Sequence, residues 1–271
     1  MKDAPLIDIH NATIFRGDTC VFSQLSLKIA QHEQVAILGP NGCGKTTLLK
    51  TLNREIYPVA GKDAWIRILG RANWNVWELR AHIGIVSHEL QMRYTKQDTG
   101  LAVVLSGFLS SIGIHGILSG RIDDTHRERA IDVMQKLAIG DLSDKALGEM
   151  STGQQRRCLL ARAMVHDPDT LIFDEPTAGL DLTSSFDLLA RIRRLVEAGK
   201  SILFVTHQLN EIPPDIRRVV LLKKGAIVAD GDKSDVLTET NLYQTYEIPI
   251  RVSEVDGYYL ASPASDFPVS N

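Results

Sequence analysis

A glycine-rich loop between a strand and a helix constrains this chain more than any other feature. Gln34–Leu38 is a short apolar run typical of a buried strand, and residues 46–52 begin a helix. Between them, residues 39–46 read G-P-N-G-C-G-K-T and fit the pattern G-x-x-x-x-G-K-[ST] at every fixed position. Glycines let the backbone curl until several N–H groups point inward, and the following helix adds its positive N-terminal end. The sequence therefore predicts a loop that binds the phosphates of a nucleoside triphosphate.

The side chains of this loop have different predicted roles. Lys45 reaches the β- and γ-phosphates as a point charge, and the hydroxyl of Thr46 ligates Mg²⁺. The residues predicted to bind the nucleotide here are Gly39, Pro40, Asn41, Gly42, Cys43, Gly44, Lys45, Thr46 and Thr47.

A second candidate site follows the apolar run L-I-F at positions 171–173, where two carboxylates come next. Ligands of α/β proteins bind at the carboxyl ends of the strands, so Asp174 and Glu175 are expected at that edge of a sheet. Asp174 is predicted to hold Mg²⁺ through water. Glu175 is predicted to act as the general base that polarises the attacking water.

A third string, M-S-T-G-Q-Q at positions 150–155, precedes a helical segment rich in Arg, Leu and Ala. A serine hydroxyl and a glycine backbone at a helix N-terminus form an anion cradle. Taken alone, the string is a helix N-cap. Its position shortly before the Asp-Glu strand favours a nucleotide-binding role for Ser151, Gly153 and Gln154.

Together with A-G-L-D at 178–181 and V-T-H at 205–207, these motifs resemble those of the ATP-binding cassette (ABC) ATPases, over residues 6 to 245 or so. The resemblance implies a P-loop NTPase core of α/β class with a mostly parallel sheet, an N-terminal antiparallel β-subdomain and an inserted helical subdomain. It also implies Mg-dependent ATP hydrolysis coupled to the closing and opening of a head-to-tail homodimer, in which Ser151 meets the γ-phosphate held by the other subunit. By the same resemblance, Asp181 belongs to the loop that links the two sites, and His207 is the histidine that contacts the γ-phosphate.

The pattern along the chain gives the expected domain boundaries. Strand and helix segments alternate, which favours a mostly parallel sheet with helices on its faces. Residues from about 98 to 165 have a helical pattern, in which Ala130 and Met134 share one apolar stripe. We expect an ABC ATPase domain over residues 1–247, with the helical subdomain at about 98–165. The tail, 248–271, differs in composition and is expected to be a small appendage or partly disordered.

One departure from the family pattern lies near the N-terminus. The aromatic residue that usually stacks on adenine precedes a glycine, but here Gly17 follows Arg16. An arginine plane can also lie on a base, so Arg16 is predicted to contact the nucleotide. A buried or surface arginine without a nucleotide role is an equal alternative.

A second departure follows the strand at positions 83–86. The family places a glutamine two residues after the strand's valine, where it helps to bind Mg²⁺ and senses the membrane partner, but here His88 takes that position. We predict that His88 substitutes as a metal ligand. A shift in register that presents Gln91 is the alternative.

Bulk properties exclude several classes. The 271 residues carry a net charge of −3, so no basic excess favours nucleic acid as a partner. The three cysteines lack C-x-x-C spacing, which indicates neither a zinc site nor a disulfide framework. No apolar run approaches the roughly 20 residues that span a bilayer, and we see no signal-peptide pattern. A cytoplasmic protein held on the inner face of the membrane by other subunits is expected.

The finer likeness favours import. The strings W-E-L-R at 77–80, I-G-I-V-S at 83–87 and V-L-S-G-F at 104–108 look like those of metal, siderophore and molybdate-type importers. The leading hypothesis is the ATP-hydrolysing subunit of an importer, docked on transmembrane permease subunits. A soluble, non-transport ABC ATPase in repair, translation or regulation is the alternative, motivated by the altered loop at His88. The single ATPase copy without a long coiled-coil insert weighs against it.

Overall fold

The computed structural model describes residues 4–114 and 120–264, which contain both strands and helices. These residues form two compact units, one made of Met1–Val76 with Ser201–Asn271 and the other of Trp77–Lys200. Together the strands and helices confirm the predicted α/β class. Within the described part of the chain, each helix is too short or too polar to cross a membrane.

The strands of the described residues are β1 (Ile7–Arg16), β2 (Thr19–Ile29), β3 (Gln34–Leu38), β4 (Trp65–Ile68), β5 (Ile83–Ser87), β6 (Thr170–Asp174), β7 (Ser201–Thr206), β8 (Arg218–Lys223), β9 (Ala226–Asp232), β10 (Ile250–Val255) and β11 (Tyr258–Pro263). Their helices are α1 (Lys45–Leu52), α2 (Val76–His82), α3 (His88–Gln91), α4 (Gly100–Leu105), α5 (Asp124–Lys136), α6 (Thr152–Met164), α7 (Leu182–Glu197), α8 (Lys233–Val236) and α9 (Glu239–Tyr246). Short 3₁₀ turns cover Gly140–Leu142, Leu147–Glu149 and Leu209–Glu211.

The first unit is built on parallel strands. β3 lies between β7 and β8 and runs parallel to both, while β9 pairs with β8 in the antiparallel sense. Because β3 has a partner on each side, its four residues Val35 to Leu38 are all buried, as the continuous apolar run predicts. β3 therefore delivers the phosphate loop from the middle of a rigid sheet.

An antiparallel sheet of β2, β1 and β4 belongs to the same unit, as the resemblance implies for the N-terminal side. Ile14 of β1 pairs with Phe22 of β2, and both side chains are fully buried. A Cβ atom added to Gly44 would lie 2.7 Å from Cζ of Phe22, so this sheet packs directly on the phosphate loop. Together with a φ of +117°, this close contact makes position 44 unfavourable for a residue with a Cβ atom.

The C-terminal tail is an ordered part of this unit as far as residue 264. β10 and β11 form an antiparallel hairpin in which Val255 pairs with Tyr258. Asp256 and Gly257 make the two-residue turn, with φ values of +51° and +78°. Gly257 packs against Pro214, since a Cβ atom there would lie 2.9 Å from the proline side chain. The described part of the tail thus contains a hairpin and fits the expected small appendage, while residues 265–271 lie outside the described range.

The second unit contains two parallel strands, β5 and β6, with helices around them. α6 packs closely on β5, because a Cβ atom on Gly84 would lie 2.4 Å from the carbonyl oxygen of Ala163. α5 buries Ala130, Val133 and Met134, the stripe predicted from the 3.6-residue period. Helices α4, α5 and α6 fall in the segment whose pattern is helical.

Candidate functional site

The phosphate loop needs glycine for two different physical reasons. Gly42 and Gly44 have φ values of +79° and +117°, which side-chain-bearing residues rarely adopt. Gly39 has no such angle, but a Cβ atom there would lie 2.3 Å from the carbonyl oxygen of Leu222. The positive φ angles of its glycines therefore let the loop curl, and the absence of a side chain at Gly39 lets it pack closely against β8.

Lys45 begins α1 and turns back over the loop. Its ammonium donates to the carbonyl oxygens of Gly39 at 2.7 Å and Pro40 at 3.1 Å, and the residue is only 6% exposed. Thr46 is exposed on the first turn of the same helix. A loop of backbone N–H groups closed by one ammonium fits a chain of phosphates. Cys43 is buried within the loop, and burial raises the pKa of its thiol.

His207 reaches the same edge of the sheet as the phosphate loop. Leu38 and Thr206 pair in the parallel ladder, so Gly39 and His207 leave their strands side by side. The Thr206 hydroxyl donates to Glu211 at 2.8 Å and accepts from the N–H of Gln208 at 3.0 Å, which shapes the turn after β7. The structure thus brings the predicted phosphate residues and His207 together in the first unit.

Arg16 is exposed at the end of β1, in the hairpin that pairs it with Thr19. Two residues before it, Ile14 pairs with Phe22, the residue that packs on Gly44. The hairpin carrying Arg16 is therefore anchored to the phosphate loop, and the nucleotide role of Arg16 stays a prediction.

The predicted carboxylates occupy the corresponding place in the second unit. Ser87 and Asp174 pair in the parallel ladder of β5 and β6, so His88 and Glu175 leave adjacent strands side by side. Glu175 has a φ of +46°, in the left-handed region that costs a non-glycine residue roughly 1–3 kcal/mol. Asp174 and Glu175 are both half-buried. A strained, partly accessible carboxylate at a strand end is typical of a functional position.

The string at positions 151–154 caps helix α6. The Ser151 hydroxyl accepts from the N–H of Gln154 at 3.2 Å, and the Gln154 side chain accepts from the N–H of Ser151 at 3.0 Å. A Cβ atom on Gly153 would lie 2.6 Å from Oγ of Ser184, so the start of α6 touches the start of α7. Ser151 is exposed, as an anion cradle requires.

Asp181 caps α7 beside this contact. Its carboxylate accepts from the N–H of Ser184 at 2.7 Å, and that hydrogen bond lowers the pKa of the Asp181 carboxyl. The structure therefore brings Gly153 and the Asp181 loop together within the second unit.

Arg156 is the residue of this region that sequence reasoning missed. It is fully buried on α6, and burial lowers the pKa of its guanidinium to about 10, an effect that the charge of Asp174 opposes. Its N–H groups meet acceptors from two segments, namely Gln91 Oε1, His88 Nδ1 and the carbonyl oxygens of Glu175, Pro176 and Ala178.

A sequence signal for Arg156 was available. Arg156 shares one helical face with Leu159, Leu160 and Ala163, which are all buried. An arginine on the apolar stripe of a helix is costly to bury unless its donors are satisfied. Such a placement predicts a hydrogen-bonded arginine inside the protein.

The two candidate residues in the loop after β5, which folds as the short helix α3, make different contacts. Gln91 is buried, donates to Gln155 at 2.7 Å and accepts from Arg156 at 2.8 Å. His88 is half-buried, and its Nδ1 lies 3.2 Å from Nη2 of Arg156. The Gln91 amide is thus engaged within the protein, and the metal role of His88 stays a prediction.

Each unit carries an oxygen group of the kind that Mg²⁺ prefers. Mg²⁺ prefers oxygen ligands and takes few of them from protein, completing its shell with phosphate and water. The described residues offer the exposed hydroxyl of Thr46 in one unit and the half-buried carboxylate of Asp174 in the other. They contain no group of three or more His, Cys, Asp or Glu side chains that could enclose a metal ion.

Comparison with known proteins identifies the family. A family model described as "ABC transporter" matches residues 22–178, more than half of the chain. The chain therefore belongs to the ABC transporter family, which confirms the resemblance carried by its motifs.

Individual relatives are similar in sequence to this chain over most of its length. The ABC transporter ATP-binding protein YlmA of Bacillus subtilis is 32% identical over 252 residues, which cover 91% of this chain and 93% of YlmA. The cobalt import ATP-binding protein CbiO of Rhodobacter capsulatus is 32% identical over 231 residues, covering 83% of this chain and 78% of CbiO. Among solved structures, cbiO1 from Clostridium perfringens, part of the complex cbiONQ, aligns with a TM-score of 0.70 at 24% identity. That alignment covers 89% of this chain and 94% of cbiO1, and it supports the fold.

Proposed function

We propose that this chain is the ATP-binding and ATP-hydrolysing subunit of an ABC importer. The observation that carries the proposal is the parallel-strand edge of each unit. One edge presents the Lys45 loop beside His207, and the other presents Asp174 and Glu175. Positioned cations, oxygen ligands for a metal and a carboxylate base are the parts that phosphoryl transfer to water requires.

Each predicted residue has a chemical role in this proposal. Lys45 and the loop N–H groups would bind the β- and γ-phosphates. Thr46 and Asp174 would supply oxygen ligands for Mg²⁺, which would neutralise phosphate charge. Glu175 accepts a proton from the attacking water, and His207 donates a hydrogen bond to the γ-phosphate.

Assembly completes the proposal. We infer a homodimer in which Ser151, Gly153 and Gln154 of one subunit face the nucleotide bound by its partner, with Asp181 near the junction. Permease subunits would hold the dimer on the inner face of the membrane. Import is favoured by CbiO, which is named as a cobalt import protein, while the cargo of this chain would be chosen by its own partner subunits.

Hydrolysis by the purified protein tests the catalytic part. We expect Mg²⁺-dependent release of phosphate from ATP, abolished by chelation. Glu175→Gln should lower kcat by about 10² to 10⁴, the range for loss of a general base, with ATP affinity changed by no more than a few fold. Glu197→Gln, which changes an exposed carboxylate at the end of α7, is the matched control and should keep full activity. Hydrolysis by Glu175→Gln at the control's rate would remove Glu175 from the mechanism.

A further inference from the structure

The side chain of Arg156 joins two segments that carry predicted site residues. A guanidinium has five N–H bonds in a fixed plane, and Arg156 meets five acceptors. Two acceptors belong to the loop after β5 and three to the turn after β6. A buried guanidinium whose five N–H groups are all hydrogen-bonded restricts the positions of the groups that it contacts.

We propose that Arg156 is a positioning residue of the ATPase site, which locks the loop carrying His88 and Gln91 to the turn carrying Glu175. The assignment of these segments to ATP hydrolysis rests on the function proposed above. The lock itself rests on the contacts within the second unit.

The turn after β6 is the more strained of the two segments. Glu175 has a positive φ, and its carbonyl oxygen accepts from Nη1 of Arg156 at 3.3 Å. The next carbonyl, of Pro176, accepts from the same nitrogen at 2.7 Å, and that of Ala178 accepts from Nη2 at 3.2 Å. Three carbonyls that converge on one group hold the backbone curled, which offsets the cost of the left-handed conformation. The direction of the Glu175 carboxylate therefore depends on Arg156.

The loop after β5 is held through Gln91. Nε of Arg156 donates to the Gln91 amide oxygen, and the Gln91 amide nitrogen donates to Gln155 at 2.7 Å. Gln155 in turn donates to the carbonyl oxygen of Leu147 at 2.8 Å. Two neighbouring residues of α6, Gln155 and Arg156, thus both hydrogen-bond to the Gln91 side chain, so a movement of the start of α6 would also move Gln91.

The contact with His88 also sets the chemistry of that ring. Arginine can only donate, so Nδ1 of His88 accepts in this contact, and the N–H of the ring then lies on Nε2. A nitrogen that bears hydrogen cannot ligate a metal. Within this proposal, His88 is an N–H donor suited to a phosphate oxygen, in place of the metal ligand that the sequence predicts.

Hydrogen exchange of Arg156→Lys tests the lock without nucleotide. Lysine keeps the charge but has three donors in place of five, so it cannot serve both segments. We expect amides of residues 88–92 and 175–180 to exchange about tenfold faster, both together. The matched control is Arg162→Lys on the same helix, whose arginine donates to Ser106 and to the carbonyl oxygen of Ser111. In the control variant, amide exchange should become faster in residues 106–111 and stay unchanged in residues 88–92 and 175–180.

Two further measurements separate positioning from mere stability. Nitrogen-15 NMR of imidazole-labelled protein should show His88 with hydrogen on Nε2, and a mixture of both tautomers in Arg156→Lys. In steady-state hydrolysis, Arg156→Lys should lower kcat at least tenfold while KM for ATP stays within about threefold. Should Arg156→Lys fail to fold, Gln91→Leu removes one acceptor of the lock and should loosen both segments to a smaller extent.

Several results would overturn the proposal. They are unchanged exchange in both segments, loosening of one segment without the other, a His88 tautomer with hydrogen on Nδ1, or a normal kcat in Arg156→Lys. If the wild-type protein fails to hydrolyse ATP, the proposed function falls, while coupled exchange would still establish the lock. If the wild-type protein hydrolyses ATP but exchange in Arg156→Lys does not rise in both segments together, the positioning role of Arg156 is wrong and the proposed function is unaffected.

Discussion

The phosphate loop and the turn that carries Glu175 both have an unusual backbone conformation, but different features stabilise it. Each follows the end of a parallel strand and must present groups in a backbone shape that ordinary residues avoid. In the phosphate loop the shape comes from glycines within eight consecutive residues, at positions 39–46. In the turn it comes from Arg156, which is 19 positions away from Glu175 along the chain. A shape built from local backbone can be predicted from a short string, whereas one built by a distant side chain cannot.

Lys45 and Arg156, two of the buried cationic residues, differ in the same way. The Lys45 ammonium has two carbonyl contacts, both within its own loop, and a flexible stem, so it can exchange these for phosphate oxygens. Arg156 contacts five groups through a rigid plane and has no donor left to exchange. Lys45 is suited to bind a substrate, and Arg156 is suited to hold the protein in place.

Removing the side chain of Arg156 should have the largest effect on stability. Arg156→Met leaves several buried acceptors without donors, at roughly 1 kcal/mol each, so we expect a loss of about 3 kcal/mol in the free energy of unfolding. Denaturation in guanidinium chloride measures this. A loss below about 1 kcal/mol would mean that the turn holds its shape by itself, and the contrast with the phosphate loop would disappear.

Two alanine substitutions separate the reasons for glycine in the phosphate loop. Gly39→Ala places a Cβ atom 2.3 Å from the carbonyl oxygen of Leu222, and we expect a loss of about 2 kcal/mol together with loss of ATP binding. Gly42→Ala has open space around it and only an unfavourable φ, so about 1 kcal/mol is expected. Thermal unfolding and calorimetric ATP titration test the pair. Equal effects would show that packing against β8 does not matter.

The capping serine offers a smaller test. Ser151→Ala removes an N-cap and should lower stability by about 1 kcal/mol and also lower ATP hydrolysis. Thr238→Ala removes the equivalent cap of α9, where the hydroxyl accepts from the N–H of Asn241 at 3.2 Å. It should show a similar stability loss with normal hydrolysis. Normal hydrolysis in Ser151→Ala would leave position 151 as a helix cap only.

The smallest expected effect is at Arg16. Because this side chain is exposed, Arg16→Ala should change stability by no more than about 0.5 kcal/mol. If the guanidinium lies on the base, the ratio of ATP to GTP affinity should still change several fold. An unchanged ratio would favour a plain surface arginine.

Much of the fold could be predicted because apolar runs and glycine strings are local signals. β3, β6 and β7 coincide with continuous apolar runs, and α5 with a 3.6-residue stripe. The hairpin at the C-terminus was missed although it carries a signal, since Asp256-Gly257 between alternating residues is a two-residue turn. The positive φ of Glu175 and its contact with Arg156 lacked such a signal, because both depend on tertiary packing.

The central claim, an ATPase subunit that works with a membrane partner, is tested most directly by recovery of its complex. Tagged Glu175→Gln protein would be purified from detergent-solubilised native membranes with ATP present, beside Lys45→Ala, and the associated proteins identified. We predict a polytopic membrane protein in stoichiometric amount. Recovery of Glu175→Gln only as a soluble homodimer would contradict the importer and indicate a non-transport ABC ATPase.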